Sequence, residues 1–327
     1  MSDRASDTKL TLEEAFEAVN KIKRNINQVL IGQDNVIEKV LTVLLAGGHV
    51  LLEGVPGLGK TLLVRALSQS IQVEFARVQF TPDLMPSDVV GHSLYDMKTG
   101  QFTTKQGPAF TNILLADEIN RAPAKTQSAL LEVMQEQQIT IDGKTTALSA
   151  PFMVLATQNP LDQEGTYPLP EAELDRFMMK VELQYPTEKA EISLLKLNTS
   201  GQSNEENVNK LCPVIDAQTI EHIKLMASKI IVDDKVYEYA VDIVRKTREW
   251  HGVIHGAGVR ASINILKAAK VNALMNNRDF VLPDDVKTVS PNILRHRLTL
   301  SAELELEGVN QEKLIHDILE DTEAPRL

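Results

Sequence analysis

The stretch that most constrains this chain is Gly54-Val55-Pro56-Gly57-Leu58-Gly59-Lys60-Thr61. It fits G-x-x-x-x-G-K-[S/T] at every fixed position. It stands between an apolar run, His49 to Leu52, and a helical run, Thr61 to Gln69. Glycines at these places let successive backbone N–H groups turn inward around an anion, in conformations that a Cβ disfavours. Lys60 then reaches the β- and γ-phosphates of a nucleoside triphosphate, and the Thr61 hydroxyl takes one position on Mg²⁺. The helix that follows, with Leu62 in its first turn, aims its positive end at the same charge. All eight loop residues and Leu62 are therefore candidate nucleotide-binding residues.

A second stretch, ILLADEINRAP at 113–123, brings two acids to the end of an apolar strand. In open α/β sheets that carboxyl edge is where ligands sit. Asp117 is expected to hold Mg²⁺ with Thr61, and Glu118 to orient and activate the attacking water. Paired acids after an apolar strand are common in solvated loops, so the weight comes from their partnership with the glycine loop. ATP and Mg²⁺ are the expected substrate and ion.

The rest of the chain gives these motifs a frame. Thr11 and Glu14 read as a capping box opening a helix to about Leu30, and a second helix ends at Gly47-Gly48. Strands are expected at 49–52, 74–78, 112–116, 152–156 and 177–183, separated by helices at 61–69 and 122–137. Buried strands alternating with helices imply a parallel sheet covered on both faces, an αβα sandwich. Two pieces break the alternation. Residues 81–110 are turn-rich, and 138–148 carry β-type residues around Asp142-Gly143, a strong hairpin signal. After Tyr185-Pro186 only helices are expected, over 187–197, 216–228, 234–249, 261–276 and 283–295, with 198–207 a solvated loop. The chain therefore divides into a core, 1–186, and an all-helical part, 187–327.

At 327 residues, two domains are expected, and aromatics at 4% favour helices packed on a buried sheet over an aromatic-rich β-sandwich. Thirty-four basic against 45 acidic residues give a net charge of −11, which weighs against a nucleic-acid partner. The lone Cys212 excludes an intrachain disulfide and reads as a small buried hydrophobe. The N-terminal MSDRASDTKL lacks a signal-peptide layout, and charges interrupt the most apolar run before it reaches membrane length. A soluble, cytoplasmic protein is expected. His251 and His255 have i, i+4 spacing, but flanking glycines and the lack of nearby carboxylates argue against a metal site; Trp250 is expected in the core.

Together the motifs GVPGLGKT, LLADEINRAP, ATQNP, LPEAELDRF and GVRAS resemble those of AAA+ ATPases, and of the MoxR family in particular. With the Ile31-Gly32-Gln33 segment they run from residue 31 to residue 262. The resemblance implies a parallel-sheet P-loop core followed by a helical lid. It implies that Asn159 is the sensor of the water or γ-phosphate, and that Arg176 is an arginine finger entering the next subunit's site, with Arg121 as a second candidate. It implies that Arg260 is the lid arginine contacting the γ-phosphate, and that Ile31, Gly32 and Gln33 line the adenine pocket. Competing explanations are a plain turn for Asn159, an ion pair with Asp175 or Glu173 for Arg176, and a solvated helix start for Arg260. Where the family often has Ser-Pro before that arginine, this chain has Gly258-Val259. The two insertions would face the pore or partner surface of a homo-oligomeric ring, a hexamer by the same resemblance.

The resemblance further implies chaperone-like remodelling of protein partners, often ones with von Willebrand factor A-like domains. The alternatives are a DNA-directed motor and a magnesium-chelatase-type motor subunit. The insertions set Asp83, Asp88 and Asp96 against Lys98 and Lys105, and Asp142 against Lys144, which offers no track for a phosphate backbone.

Overall fold

The computed structural model describes residues 10–55, 57–98, 100–160, 165–199 and 204–326. Helix α1, Leu12–Asn27, opens on Thr11, whose hydroxyl accepts from Glu14 N while the Glu14 carboxylate returns to Thr11 N. Helix α2, Asp34–Leu45, leads into strand β1, Val50–Glu53. Next come α3, Lys60–Ser70, β2, Phe75–Gln79, α4, Pro86–Val90, and a hairpin of β3, Gly91–Asp96, and β4, Gln101–Gln106. Strand β5, Ile113–Asp117, and α5, Ala124–Glu136, are followed by the hairpin of β6, Gln138–Ile141, and β7, Lys144–Ala147. Its turn places Asp142 and Gly143 in left-handed conformations, φ 49° and 78°, as a tight two-residue loop requires. Strand β8, Met153–Gln158, the short α6, Glu171–Leu174, and β9, Met179–Glu182, complete the sheet region.

Five strands form one parallel sheet in the order β2-β5-β8-β1-β9. Its central strands are apolar up to their carboxyl ends because both faces are covered. Val50 and Leu52, Ile113 and Leu115, Met153 and Leu155 enter one core with α1, α2 and α3. Their alternates Leu51, Leu114, Ala116, Val154 and Ala156 enter a second core with α5, Phe80, Val89, Ile139 and Phe177. The period-2 alternation of a strand thus feeds two cores, which makes the αβα sandwich.

The chain continues through α7, Glu188–Thr199, α8, Asn204–Asn209, α9, Ala217–Ser228, and α10, Asp234–Glu249. Strand β10, Val253–His255, precedes α11, Val259–Met275, and α12, Pro283–Leu294; β11, Thr299–Leu300, α13, Ala302–Leu306, and α14, Gln311–Asp321, close it. The first core runs without a break from the sheet into this helical part, where α11 is flanked by α9, α10 and α12.

Several expectations are corrected. The helical part is not all-helical: β10 pairs antiparallel with β11, and the expectation missed it because a three-residue strand carries no period. His251 lies in the turn before β10 and His255 ends that strand, where a loop was expected. Residues 81–110 fold into α4 and a hairpin rather than remaining turns. The expected loop at 198–207 is helical at 198–199 and 204–207, and 200–203 lie outside the described residues. Cys212 is exposed, and Trp250 is only partly buried. No helix among the described residues is long and apolar enough to cross a membrane.

His49 shows how the sheet's amino edge is held. Its Nε2 donates to the Met134 carbonyl and its Nδ1 accepts from Val154 N, both at 3.0 Å, tying β1 to α5 and β8. The ring is fully buried, and desolvation pushes its pKa down to about 4. The folded protein therefore keeps His49 neutral where the unfolded chain, titrating near 6.5, takes up a proton. Stability is fully present above about pH 6.5 and is lost as pH falls toward 4. From pH 7 to pH 5 His49 alone is expected to cost about 2 kcal/mol. Urea unfolding at both pH values checks this: His49→Gln should shrink the acid-induced loss by that amount, and an unchanged loss would refute the assignment.

Candidate nucleotide site

The glycine loop leaves the carboxyl end of β1, where the strand order reverses between β8 and β9, the kind of place where α/β sheets leave a crevice for ligands. Gly57 and Gly59 take φ of 88° and 76°, and a Cβ on Gly59 would also meet Leu30 Cδ1 at 3.2 Å. Gly54 and Leu58 are buried, Val55 packs against the first core, and Pro56 lies outside the described residues. Lys60 begins α3 with Thr61 and Leu62 half-buried behind it. The Lys60 ammonium donates to the Gly54 carbonyl and, at 3.4 Å, to that of Gln158. Burial lowers its pKa, opposed by the negative charges of Asp117, Glu118 and Glu53, which puts loop and acids in one electrostatic environment.

The acids themselves are tightly held. Thr157 on β8 donates its hydroxyl to Asp117 Oδ1 at 2.6 Å and accepts from Glu118 N at 2.8 Å. Arg77 Nη2 meets Asp117 Oδ2 at 2.6 Å. Glu118 is held in the left-handed region, φ 55° and ψ 52°, a costly conformation for a non-glycine residue that the Thr157 bond helps fix. Its Oε2 accepts from Gln79 Nε2 at 2.8 Å and Arg121 Nη1 at 3.2 Å. Arg77 and Gln79 were not singled out from the sequence. They stand at alternate positions of β2, opposite Leu115 and Asp117, and only the strand register brings them to the acids. Arg121, expected as a second candidate for a trans-acting arginine, reaches Glu118 of its own chain.

Asn159 follows β8 at 7% exposure, beside a cavity of about 230 Å³ that Glu53 and Asn120 also line. On the other flank of the loop, Ile31, Gly32 and Gln33 join α1 to α2. Gly32 has φ 77°, and a Cβ there would lie 2.5 Å from Ala190 Cβ of α7. Gln33 Nε2 donates to the Leu58 carbonyl at 2.9 Å, while its buried Oε1 has no partner. That orphaned acceptor beside the loop fits a group bearing an amine. The Thr61 hydroxyl and the Asp117 carboxylate, both hard oxygen donors, fit Mg²⁺.

The two remaining arginines are elsewhere. Arg176 just precedes β9 and Gly47–His49 precede β1, so this is the amino edge of the sheet, opposite the glycine loop. Arg176 donates to the Gln135 side chain, not to Asp175 or Glu173. Arg260, at the first turn of α11, donates to Asp175 Oδ2 at 3.0 Å. The expectation that Arg260 contacts the γ-phosphate is corrected for the chain's own loop: its α11 packs Arg260 against the opposite edge. The same Asp175 accepts from Arg297 Nε at 2.6 Å, and Arg297 Nη2 also donates to the carbonyls of Asp175 and Phe177, at 3.1 and 2.7 Å. Arg297, buried just past α12, thus clamps the segment that carries Arg176. Nothing in NILRHRL marks it out from a surface basic residue.

Comparison with known proteins agrees with this geometry. Residues 49–179 match the model of the ATPase family associated with various cellular activities (AAA), and 245–318 match the AAA lid domain. An uncharacterized protein, YeaC, of Bacillus subtilis is 45% identical, the alignment covering 96% of this chain and 97% of that one. Chaperone MoxR1 of Mycobacterium tuberculosis is 40% identical over 92% of this chain and 81% of its own. A crystal structure from Cytophaga hutchinsonii superposes with a TM-score of 0.89 at 40% identity, covering 96% and 97% of the two chains. With the glycine loop, the acid pair, the parallel sheet and the lid in place, this similarity over nearly the whole length shows that the chain belongs to the MoxR family of AAA+ ATPases.

Proposed function

We propose that the chain hydrolyses ATP in a homo-oligomeric ring, a hexamer, and uses the cycle to remodel or mature protein partners. The observation that carries this reading is the split of the site between opposite edges of the sheet. Lys60, Thr61, Asp117, Glu118 and Asn159 gather at the carboxyl edge, and Arg176 and Arg260 at the amino edge. A triphosphate on one subunit's loop is out of reach of its own Arg176 and Arg260, so a second copy must supply these two. Dependence of hydrolysis on assembly follows.

At the carboxyl edge the loop amides and Lys60 hold the β- and γ-phosphates, and Gln33 faces the base. Mg²⁺ held by Thr61 and Asp117 would neutralise charge on the phosphates. Glu118 orients the attacking water with Asn159, and Gln79 and Arg121 fix the Glu118 carboxylate. The Asp117 carboxylate, paired here with Arg77, would hold the ion together with the Thr61 hydroxyl. Arg176 of the next subunit stabilises charge on the transferring phosphoryl group.

The β3–β4 hairpin exposes Leu94, Tyr95, Met97 and Phe102, the last two at 91% and 73%. An apolar tip of this kind supports contact with protein, such as a von Willebrand factor A-like domain, over contact with a phosphate backbone. The name Chaperone MoxR1 carried by one relative supports the same reading.

Glu118→Gln is expected to bind ATP and to hydrolyse it at least about a hundredfold more slowly, whereas Lys60→Ala should lose binding. Trapped with ATP and recovered from lysate, Glu118→Gln should carry a stoichiometric protein that Lys60→Ala does not. Nuclease-sensitive nucleic acid with no protein would replace the remodelling reading with a DNA motor. Arg176→Ala should be inactive alone and regain activity on mixing with Glu118→Gln, because one interface in such a ring unites an intact loop with an intact arginine. Mixtures no faster than the mean of the two parents would refute the trans assignment.

A further inference from the structure

At the amino edge, Arg176 and Arg260 line a cavity of about 350 Å³. Helix α11 carries two more polar residues into it, Asn264 and Lys267, at i+4 and i+7 from Arg260 and so on the same helical face. The four differ in how they are engaged. Arg176 is bonded to Gln135 and Arg260 to Asp175. Lys267 has neither an ion pair nor a hydrogen bond among the described residues, and it is exposed. Asn264 is nine-tenths buried, lines the cavity, and likewise has no hydrogen-bond partner there.

The charge balance of the cavity is one-sided. Three cations line it and no carboxylate does, in a chain whose net charge is −11. Asp175, the carboxylate paired with Arg260, is shared with the buried Arg297. The Asn264 amide opens onto the cavity with its hydrogen-bonding capacity unspent, and a concentrated cationic pocket calls for a multiply charged anion. The chain's own triphosphate loop lies across the sheet and cannot supply one.

We propose that Asn264 and Lys267 complete, with Arg176 and Arg260, a phosphate-recognition pocket for the nucleotide bound to a second copy of this chain. The assignment rests on the trans reading above and extends it to two residues that no motif marks. Lys267 contacts the terminal phosphates as a point charge, and the Asn264 amide donates to a phosphate oxygen. The pocket therefore distinguishes a neighbour holding ATP from one holding ADP, through the charge and oxygens that are lost with the γ-phosphate.

ATP hydrolysis by the full chain at saturating ATP and Mg²⁺ tests this with Lys267→Ala, Lys267→Arg and Asn264→Ala. Lys267→Ala is expected to lower kcat by about tenfold or more, with Lys267→Arg retaining most of it. Binding of a fluorescent ATP analogue should survive in each variant, because the loop is untouched, with any loss of affinity far smaller than that of Lys60→Ala. Asn264→Ala should lower kcat in the same way by a smaller factor. Mixing Lys267→Ala with Glu118→Gln should raise the rate above the mean of the two. An unchanged kcat in Lys267→Ala, or a loss that mixing does not relieve, overturns the proposal. Arg176→Ala mixed with Glu118→Gln in parallel separates the two failures. Relief there but not with Lys267→Ala removes Lys267 alone, and relief in neither removes the trans reading with it.

Discussion

The parallel register of β1 between β8 and β9 is the constraint on which the rest depends. In a parallel sheet every strand starts at one edge and ends at the other, so the two edges carry different chemistry. Everything following β1, β5 and β8 gathers at the carboxyl edge: the glycine loop, Asp117-Glu118 and Asn159. Everything preceding β1 and β9 gathers at the amino edge: Gly47-Gly48, His49 and Arg176. An antiparallel partner for β1 would interleave these groups. The separation holds because the two cores bury alternate residues of the same strands, and a one-residue slip would exchange the cores.

At the carboxyl edge, precision comes from a hydroxyl. Thr157 Oγ1 gives its proton to Asp117 and takes one from Glu118 N, so one β8 side chain fixes both the carboxylate expected on Mg²⁺ and the backbone turn after it. The left-handed Glu118 follows from that turn, which aims the carboxylate away from Asp117 and toward Gln79 and Arg121. Two acids one residue apart thereby face different partners, as separate roles require.

What the sequence made legible divides along physical lines. The glycine loop, the acid pair and the sheet strands were readable because their signals are local: fixed spacing, apolar runs, and a strand end. The Asp142-Gly143 hairpin was readable for the same reason. Arg77 and Gln79 were not, because β2 alone shows only alternating polar residues, and their meaning comes from register with β5. Nor was the direction of Arg260 readable. The helix start at Gly258-Val259 is local, but where α11 points it depends on packing against α9, α10 and α12. Arg297 was hidden for the same reason, since its four bonds to 175–178 span about 120 residues. The two-strand pairing of β10 with β11 was too short to have a period.

Arg297 bears on how the two halves of the molecule communicate. Its guanidinium carries one bond to the Asp175 carboxylate and others to backbone carbonyls of Asp175, Phe177 and Met178, so it holds the chain as well as a charge. Burial lowers its pKa and the contact with Asp175 opposes the shift, leaving a charged clamp in a dry place. Asp175 is meanwhile shared with Arg260 at the start of α11. Movement of α11 and α12 relative to the sheet must therefore either carry residues 175–178 with it or break several charge-assisted bonds, each worth about 1.5–3 kcal/mol. The first course is opposed as well, because Phe177 is buried in the second core and Met178 N donates to the His49 carbonyl at 2.8 Å. The starts of α11 and β9 are therefore held together, with Arg176 and Arg260 on one cationic face. In the proposed ring, a face braced in this way would keep the spacing of Arg176 and Arg260 fixed when they are offered to a neighbouring copy.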